Sequence, residues 1–315
     1  MRAIRPEDLQ VSWLKAFLAL LETQSFSTAA EKLELSQPAI SKRIQALERT
    51  IDQPLFERFG RSVHPLPAAH LLEAPAREVL ARLTDAARAL DELGGGKSGP
   101  LRVAISHHIA LHQLPKWLDD SVIGATAIQV EWQFLDSDAA VDAVDHRLAD
   151  LALVTLPEHR HPSHETQSLR RERMVLTTHR ELPKHSSGSI PSERALRETP
   201  RALAQIENWL NTQTWVLPPR GSGTLERIRG LLAPLPLPSR HHSAPSIEIM
   251  RTLIENRMGI GFLPEDLIRP PLIAIGPPDW AVTRELGWLR IRHRARTAIE
   301  NRFLKSLESR SSSPS

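Results

Sequence analysis

Apolar residues recur at helical spacing through the first ninety positions and gather into short strand-like runs after residue 100. Leu14, Phe17, Leu18 and Leu21 fall at i, i+3, i+4 and i+7, which predicts an amphipathic helix. Ala29, Ala30 and Leu33 supply the buried face of a second, short helix, and Ile40, Ile44 and Leu47 that of a third. Ser27 is expected to cap the second helix and Ser36 the third. Pro38 fits the first turn of the third, where its missing N–H costs nothing. Leu55 and Phe56 read as a core anchor. Behind them Arg58 and Arg61 flank Gly60 in a short wing.

Leu72, Ala76, Val79, Leu83, Ala86, Leu90 and Leu93 alternate gaps of four and three residues, with Glu73, Arg77, Glu78, Arg82, Asp85 and Arg88 off the seam. This heptad pattern predicts a helix roughly 33 Å long with a self-associating stripe. The competing expectation is that the stripe packs on its own chain. Pro75 falls inside it and would kink the first turn or mark where the straight part begins.

LRVAI (101–105), IQVEWQFL (128–135), LALVT (151–155), RMVLTT (173–178), TWVL (214–217) and GIGFLP (259–264) read as strands, with helical patterns between several of them. That alternation predicts a parallel sheet with helices on its faces, and ligands in such sheets sit beyond the strands' carboxyl ends. Hydroxyls fall at those places: Ser106, Ser137, Thr155, Ser222 and Thr224. Arg220, beside GSG, is a candidate ligand clamp. An anionic ligand suits helix starts, which carry unpaired N–H groups.

The chain has 315 residues, enough for two or three domains, and a formal net charge of +3. It has no cysteine, which excludes disulfides, thiolate catalysis and cysteine-ligated zinc. No apolar run approaches ~18 residues, and MRAIRPEDLQ lacks the apolar centre of a secretory signal. A cytoplasmic protein with no membrane partner is expected. Residues 1–65 hold nine Lys or Arg against eight Asp or Glu, a net of +1. Nucleic-acid binding would therefore depend on where the cations sit. On the third helix the polar face offers Gln37, Ser41, Lys42, Arg43 and Gln45, groups that bond base edges and phosphates. Arginine in a wing is drawn to a narrow minor groove.

The run from Leu14 through SFSTAA, LSQPAISKRIQALE and QPLFERFGR resembles the DNA-binding end of the LysR-type transcriptional regulator family. PRGSGTLERI (219–228) and SIEIMRTLIENRMGIGFLPEDL (246–267) resemble the effector-binding half of the same family. The resemblance covers about residues 9 to 305. It implies an α/β protein: an N-terminal winged helix-turn-helix, a long linker helix, and a two-lobed α/β effector-binding domain of periplasmic-binding-protein type. The expected division is 1–67 for DNA binding, 68–93 for the linker, 94–99 for a hinge, 100–308 for the effector domain, and 309–315 for a disordered tail. Ser27, Gln37, Pro38, Ser41, Lys42, Arg43, Arg58 and Arg61 are the expected DNA-contacting residues. The implied partners are double-stranded DNA, a small effector, RNA polymerase and further copies of the chain as a dimer or tetramer. His70 stands where the family commonly has glycine.

Other motifs point to no chemistry. GGGKSGP (94–100) lacks the early glycine and preceding strand of a phosphate loop. Arg220 occupies the first glycine position of a nucleophile elbow around Ser222, so the elbow is absent. His108 and His112 stand at i, i+4, and His159, His161 and His164 cluster, but neither cysteine nor HExxH accompanies them. No catalytic residue, metal or cofactor is expected. The alternative left open is an α/β small-molecule binding protein or enzyme with a tethering N-terminal module.

Overall fold

A computed structural model describes residues 5–59, 62–93, 99–118, 128–181, 209–220, 222–233, 240–276 and 280–311. The glycine-rich hinge at 94–98, the wing tip Gly60–Arg61, most of the polar stretch between Thr178 and Trp209, and the last four residues of the tail lie outside the described residues. The chain divides into two compact units, residues 1–99 with 145–148, and residues 100–144 with 149–315.

The first unit builds on α1 (Val11–Thr23), α2 (Phe26–Lys32), α3 (Gln37–Ile51), the hairpin β1 (Phe56–Phe59) and β2 (Ser62–Pro65), and α4 (Pro67–Leu93). Its core takes the predicted stripes: Leu14, Phe17 and Leu18 from α1, Ala29 and Ala30 from α2, and Ile40, Ile44 and Leu47 from α3, closed by Leu55 and Val63. The start of the heptad seam belongs here too. Ala76 is buried in this core and Leu72 packs against it. Past that point the seam faces outward: Val79, Leu83 and Leu90 are 43%, 47% and 68% exposed. The expectation that the stripe packs on its own chain therefore holds for its first turns, and the remainder is left exposed on the single chain. Pro75 lies inside an unbroken helix. Its missing N–H falls opposite the carbonyl of Leu71, a residue that is itself exposed. Arg77 binds α4 to α1 through Glu22, at 3.0 Å.

In the second unit β3 (Leu101–Ser106) lies parallel to β4 (Val130–Leu135) and to β5 (Leu151–Thr155). Between them stand α5 (His107–His112), α6 (Leu114–Trp117) and α7 (Ser137–Asp145). Then follow β6 (His164–His179), β7 (Trp215–Leu217), α8 (Gly223–Leu232), β8 (His241–Ser243), α9 (Ile247–Glu255), β9 (Gly261–Pro264), β10 (Leu272–Ala274), β11 (Ala281–Ile291) and α10 (Ala298–Ser311). The sheet is mixed, not parallel throughout. Its order is β10-β6-β11-β5-β3-β4, with β9 also on β6, and β6 and β11 pair antiparallel over most of their length.

That ribbon runs through two hydrophobic centres. One gathers Leu101, Val103, Ile105, Ile109, Leu153, Leu286, Trp288 and Phe303. The other gathers Trp215, Ile228, Met250, Ile254, Phe262 and Val282. The β6–β11 register shifts between Leu286 and Gly287. A Cβ on Gly287 would stand 2.0 Å from the Gln167 carbonyl oxygen, so the crossing admits only glycine. Gly261 plays a like part in the GIG run, where a Cβ would meet the Val216 carbonyl oxygen at 2.5 Å.

Candidate functional site

Ser36 caps α3, its hydroxyl accepting the Ala39 N–H at 3.4 Å. Ile40, Ile44 and Leu47 turn inward. Gln37, Pro38 and Lys42 are left exposed, and Ser41 and Arg43 half-buried, at the start of the helix. The α2 cap differs from expectation. Ser25, not Ser27, accepts the Thr28 N–H, at 3.3 Å, and Ser27 lies inside the first turn with its hydroxyl 2.9 Å from that of Ser25. Phe26 is buried against the core, which draws the helix start two residues earlier. Between α2 and α3, Glu34 takes a left-handed φ of 53° and Leu35 N–H reaches the Ala30 carbonyl at 2.9 Å. These bonds occupy the last carbonyls of α2 and make the turn tight.

Glu48 holds the entry to the wing. Its Oε1 accepts the N–H groups of Leu55 at 2.8 Å and Phe56 at 3.3 Å. Arg58 stands in β1 opposite Val63, and Arg61 lies outside the described residues.

In the second unit a cavity of about 350 Å³ opens beyond the ends of β3, β4 and β5. Ser106, Ser137, Thr155, Ser222 and Thr224 all line it. Arg220 does not line it and is exposed. Arg227 lines it instead, three residues beyond Thr224 and so on the same helical face. Its guanidinium donates to the Leu156 carbonyl at 3.1 Å and pairs with Glu158 at 3.0 Å.

Four helix starts border the cavity. Ser106 accepts the Ile109 N–H at 3.5 Å, Ser246 that of Ile249 at 3.3 Å, and Asp136 that of Ala139 at 2.8 Å. Ser137 accepts the Thr155 N–H at 3.2 Å, fixing the end of β5 to α7. Ser222, at the start of α8, makes no capping bond of its own. The walls also carry Asp136, Asp138, Glu158 and Glu226. Burial, with Asp136 and Asp142 nearby, raises the Asp138 carboxyl above its ordinary range.

Beside the cavity lies a buried ionic chain that sequence reasoning missed. Glu172 Oε1 stands 2.8 Å from His108 Nε2, and Arg284 Nε donates to Glu172 Oε2 at 2.7 Å. Burial alone would raise the Glu172 carboxyl. The His108 hydrogen bond and the Arg284 guanidinium outweigh it and hold the group at about 2. His108 and Glu172 are 64 residues apart and Glu172 and Arg284 112 apart, so no local spacing announces them.

Residues 11–70 match the model of the bacterial regulatory helix-turn-helix proteins of the lysR family, and residues 94–312 match the LysR substrate binding domain. An uncharacterized HTH-type transcriptional regulator of Azotobacter vinelandii is 49% identical over 107 residues, 34% of this chain and 74% of that protein. The chain spans between half and just under two thirds of several other curated relatives that it matches. In fold it is similar to CbnR, a LysR family transcriptional regulator, with a TM-score of 0.63 and 19% identity over 97% of this chain and 100% of that one. CbnR complexed with its target DNA gives 0.61 and 20%, over 96% and 100%. The helix-turn-helix unit, the cavity-bearing α/β unit and the two family matches lead to one conclusion: the chain belongs to the LysR family of helix-turn-helix transcriptional regulators.

Proposed function

We propose that this regulator reads its operator with Gln37, Pro38, Ser41, Lys42 and Arg43 of α3 in the major groove and with Arg58 and Arg61 of the wing in the adjacent minor groove. The observation that carries this reading is the polar, exposed start of α3, opposite a face that is wholly buried. Helix starts of this kind present side chains to base edges. Gln37→Ala is expected to relax base choice at one position by ~1–3 kcal/mol. Arg58→Ala is expected to weaken binding to all sequences and to flatten its salt dependence. Gel-shift titrations of a selected operator and its single-base variants, at two salt concentrations, measure both. Unchanged affinity and base preference in both variants would rule the assignment out.

The second half of the proposal is that a small anionic metabolite fills the cavity and controls the regulator. The beginning of α8 favours an anion: its first N–H groups are unpaired within the helix, the Ser222 hydroxyl is not spent on capping, and Arg227 stands alongside. Asp136 and Asp138 border the α7 side and suit a hydroxyl or ammonium on the same ligand. The effector so described is a small carboxylate or phosphate carrying hydrogen-bond donors. Binding would shift an existing equilibrium of the sensor rather than create a new fold. A thermal-shift panel of such metabolites on the full chain should return a stabilising hit, and calorimetry should show Ser222→Ala and Thr224→Ala weakening it ~10-fold each. Full affinity in both variants would place the effector elsewhere.

The same reading includes a homodimer or homotetramer assembled through α4, contact with RNA polymerase, a cytoplasmic location, and domain boundaries near residues 67, 93 and 100. Among the described residues no helix is long and apolar enough to cross a membrane. Membership of a regulator family sets aside the enzyme reading of the same α/β scaffold.

A further inference from the structure

His108, His112 and Glu248 bring three ligand atoms within 4.8 Å of one another, on α5 and α9. Glu248 Oε1 lies 3.6 Å from His108 Nδ1 and 3.4 Å from His112 Nε2. Both separations are long for a hydrogen bond. They match the spacing of two ligands held at ~2.0–2.1 Å around a tetrahedral ion, which is about 3.3 Å. His108 Nδ1 and both oxygens of Glu248 are buried with no hydrogen-bond partner among the described residues. Buried polar atoms normally find a partner at hydrogen-bond distance. From this geometry we infer that His108 Nδ1, His112 Nε2 and Glu248 bind a divalent transition metal ion of the zinc class.

Three further observations fit. His108 turns its other nitrogen to Glu172, and Arg284 in turn anchors Glu172. A carboxylate behind a ligating histidine fixes the ring and the tautomer that ligation requires. Local charge agrees as well. Arg284 balances Glu172, so Glu248 is left as the negative group that a cation would neutralise. Two imidazoles and one carboxylate select zinc, nickel or copper over magnesium or calcium. The fourth position is left for water or for an atom of a cavity ligand, since His108 also lines the cavity.

The two helices belong to different hydrophobic centres: Ile109 of α5 lies in one, and Met250 and Ile254 of α9 in the other. A bound ion would therefore clip the two centres together beside the effector cavity. This inference does not depend on which effector binds, or on whether one does.

The test uses untagged full-length protein stripped with a chelator, then titrated with Zn²⁺ by calorimetry and with Co²⁺ by visible absorption. One ion per chain is expected, with the intense bands of four-coordinate cobalt and a rise in melting temperature on adding zinc. His112→Ala and Glu248→Gln should each weaken binding by ~100-fold or more and abolish the melting shift. His161→Ala, in the separate histidine cluster, should change neither. Substoichiometric binding, the weak spectrum of six-coordinate cobalt, or unchanged affinity in either variant would overturn the site. The wild-type cobalt spectrum decides the matter even where a variant folds poorly.

Discussion

Asp150 sits with its side chain 1% exposed between two arginines. Its carboxylate meets the Arg102 guanidinium at 2.5 Å and the Arg294 guanidinium at 2.9 Å, and accepts the Arg102 backbone N–H at 2.9 Å. Burial would raise its pKa, but these partners outweigh it and hold the group below the ordinary carboxylate value. The folded form therefore binds its proton more weakly than the unfolded chain does. The stabilisation is complete above the unfolded value of about 3.9, and it fades as pH falls through the lower folded value. Asp150→Asn should cost ~3–5 kcal/mol at neutral pH, because it leaves the buried Arg294 guanidinium and the half-buried Arg102 guanidinium facing an amide. Denaturant melts from pH 7 down to pH 3 should show the gap between wild type and variant shrinking in acid. A gap constant with pH would mean that Asp150 acts through packing alone. No sequence pattern marks this residue. The single residues legible beforehand were those with local physics: Ser36 as a cap, Leu55 as an anchor, and the hydroxyls at the strand ends. Arg227, Arg284 and Glu172 act through partners 64 or more residues away, and no local spacing announces them.

At the level of elements, periodicity carried the first unit almost entirely. Its helices are amphipathic over one core, so their apolar stripes are unambiguous. The sheet was harder. The buried strands β3 and β5 announce themselves as apolar runs. The outer half of β6, HETQSLRRER, is charged, because Arg170, Arg171 and Arg173 pair with Asp266, Glu285 and Glu265 across its surface. Those ion pairs hid half a strand, and with it the antiparallel ribbon that makes the sheet mixed. The α4 seam yields the prediction at this scale. Val79, Leu83 and Leu90 are exposed on a single copy, and a second copy of α4 would cover them. Leu83→Asp would bury an unpaired carboxylate in that seam, costing several kcal/mol. Light scattering should then report smaller particles with unchanged helix content. An unchanged mass would move the assembly surface elsewhere.

For the molecule as a whole, the β6–β11 ribbon has a consequence for how the protein is made. The first hydrophobic centre opens with Leu101 and closes with Leu286, Trp288, Phe303 and Leu307. On the ribosome it must wait for residues beyond 300, whereas the hydrophobic core of the helix-turn-helix unit draws only on residues between Leu9 and Leu80. Loop-closure entropy makes such distant pairing slow, and the free edge of β5 stays open to other chains meanwhile. A chain ended at residue 280 lacks β11 and α10. It should keep the cooperative melting of the first unit, lose that of the second, and aggregate through its bare strands. Two intact transitions in that truncated chain would show that the ribbon is dispensable. On the reading proposed above, the nascent chain completes its DNA-reading unit well before its cavity, and an interrupted synthesis would release a fragment that keeps the proposed operator contacts and lacks the proposed effector site.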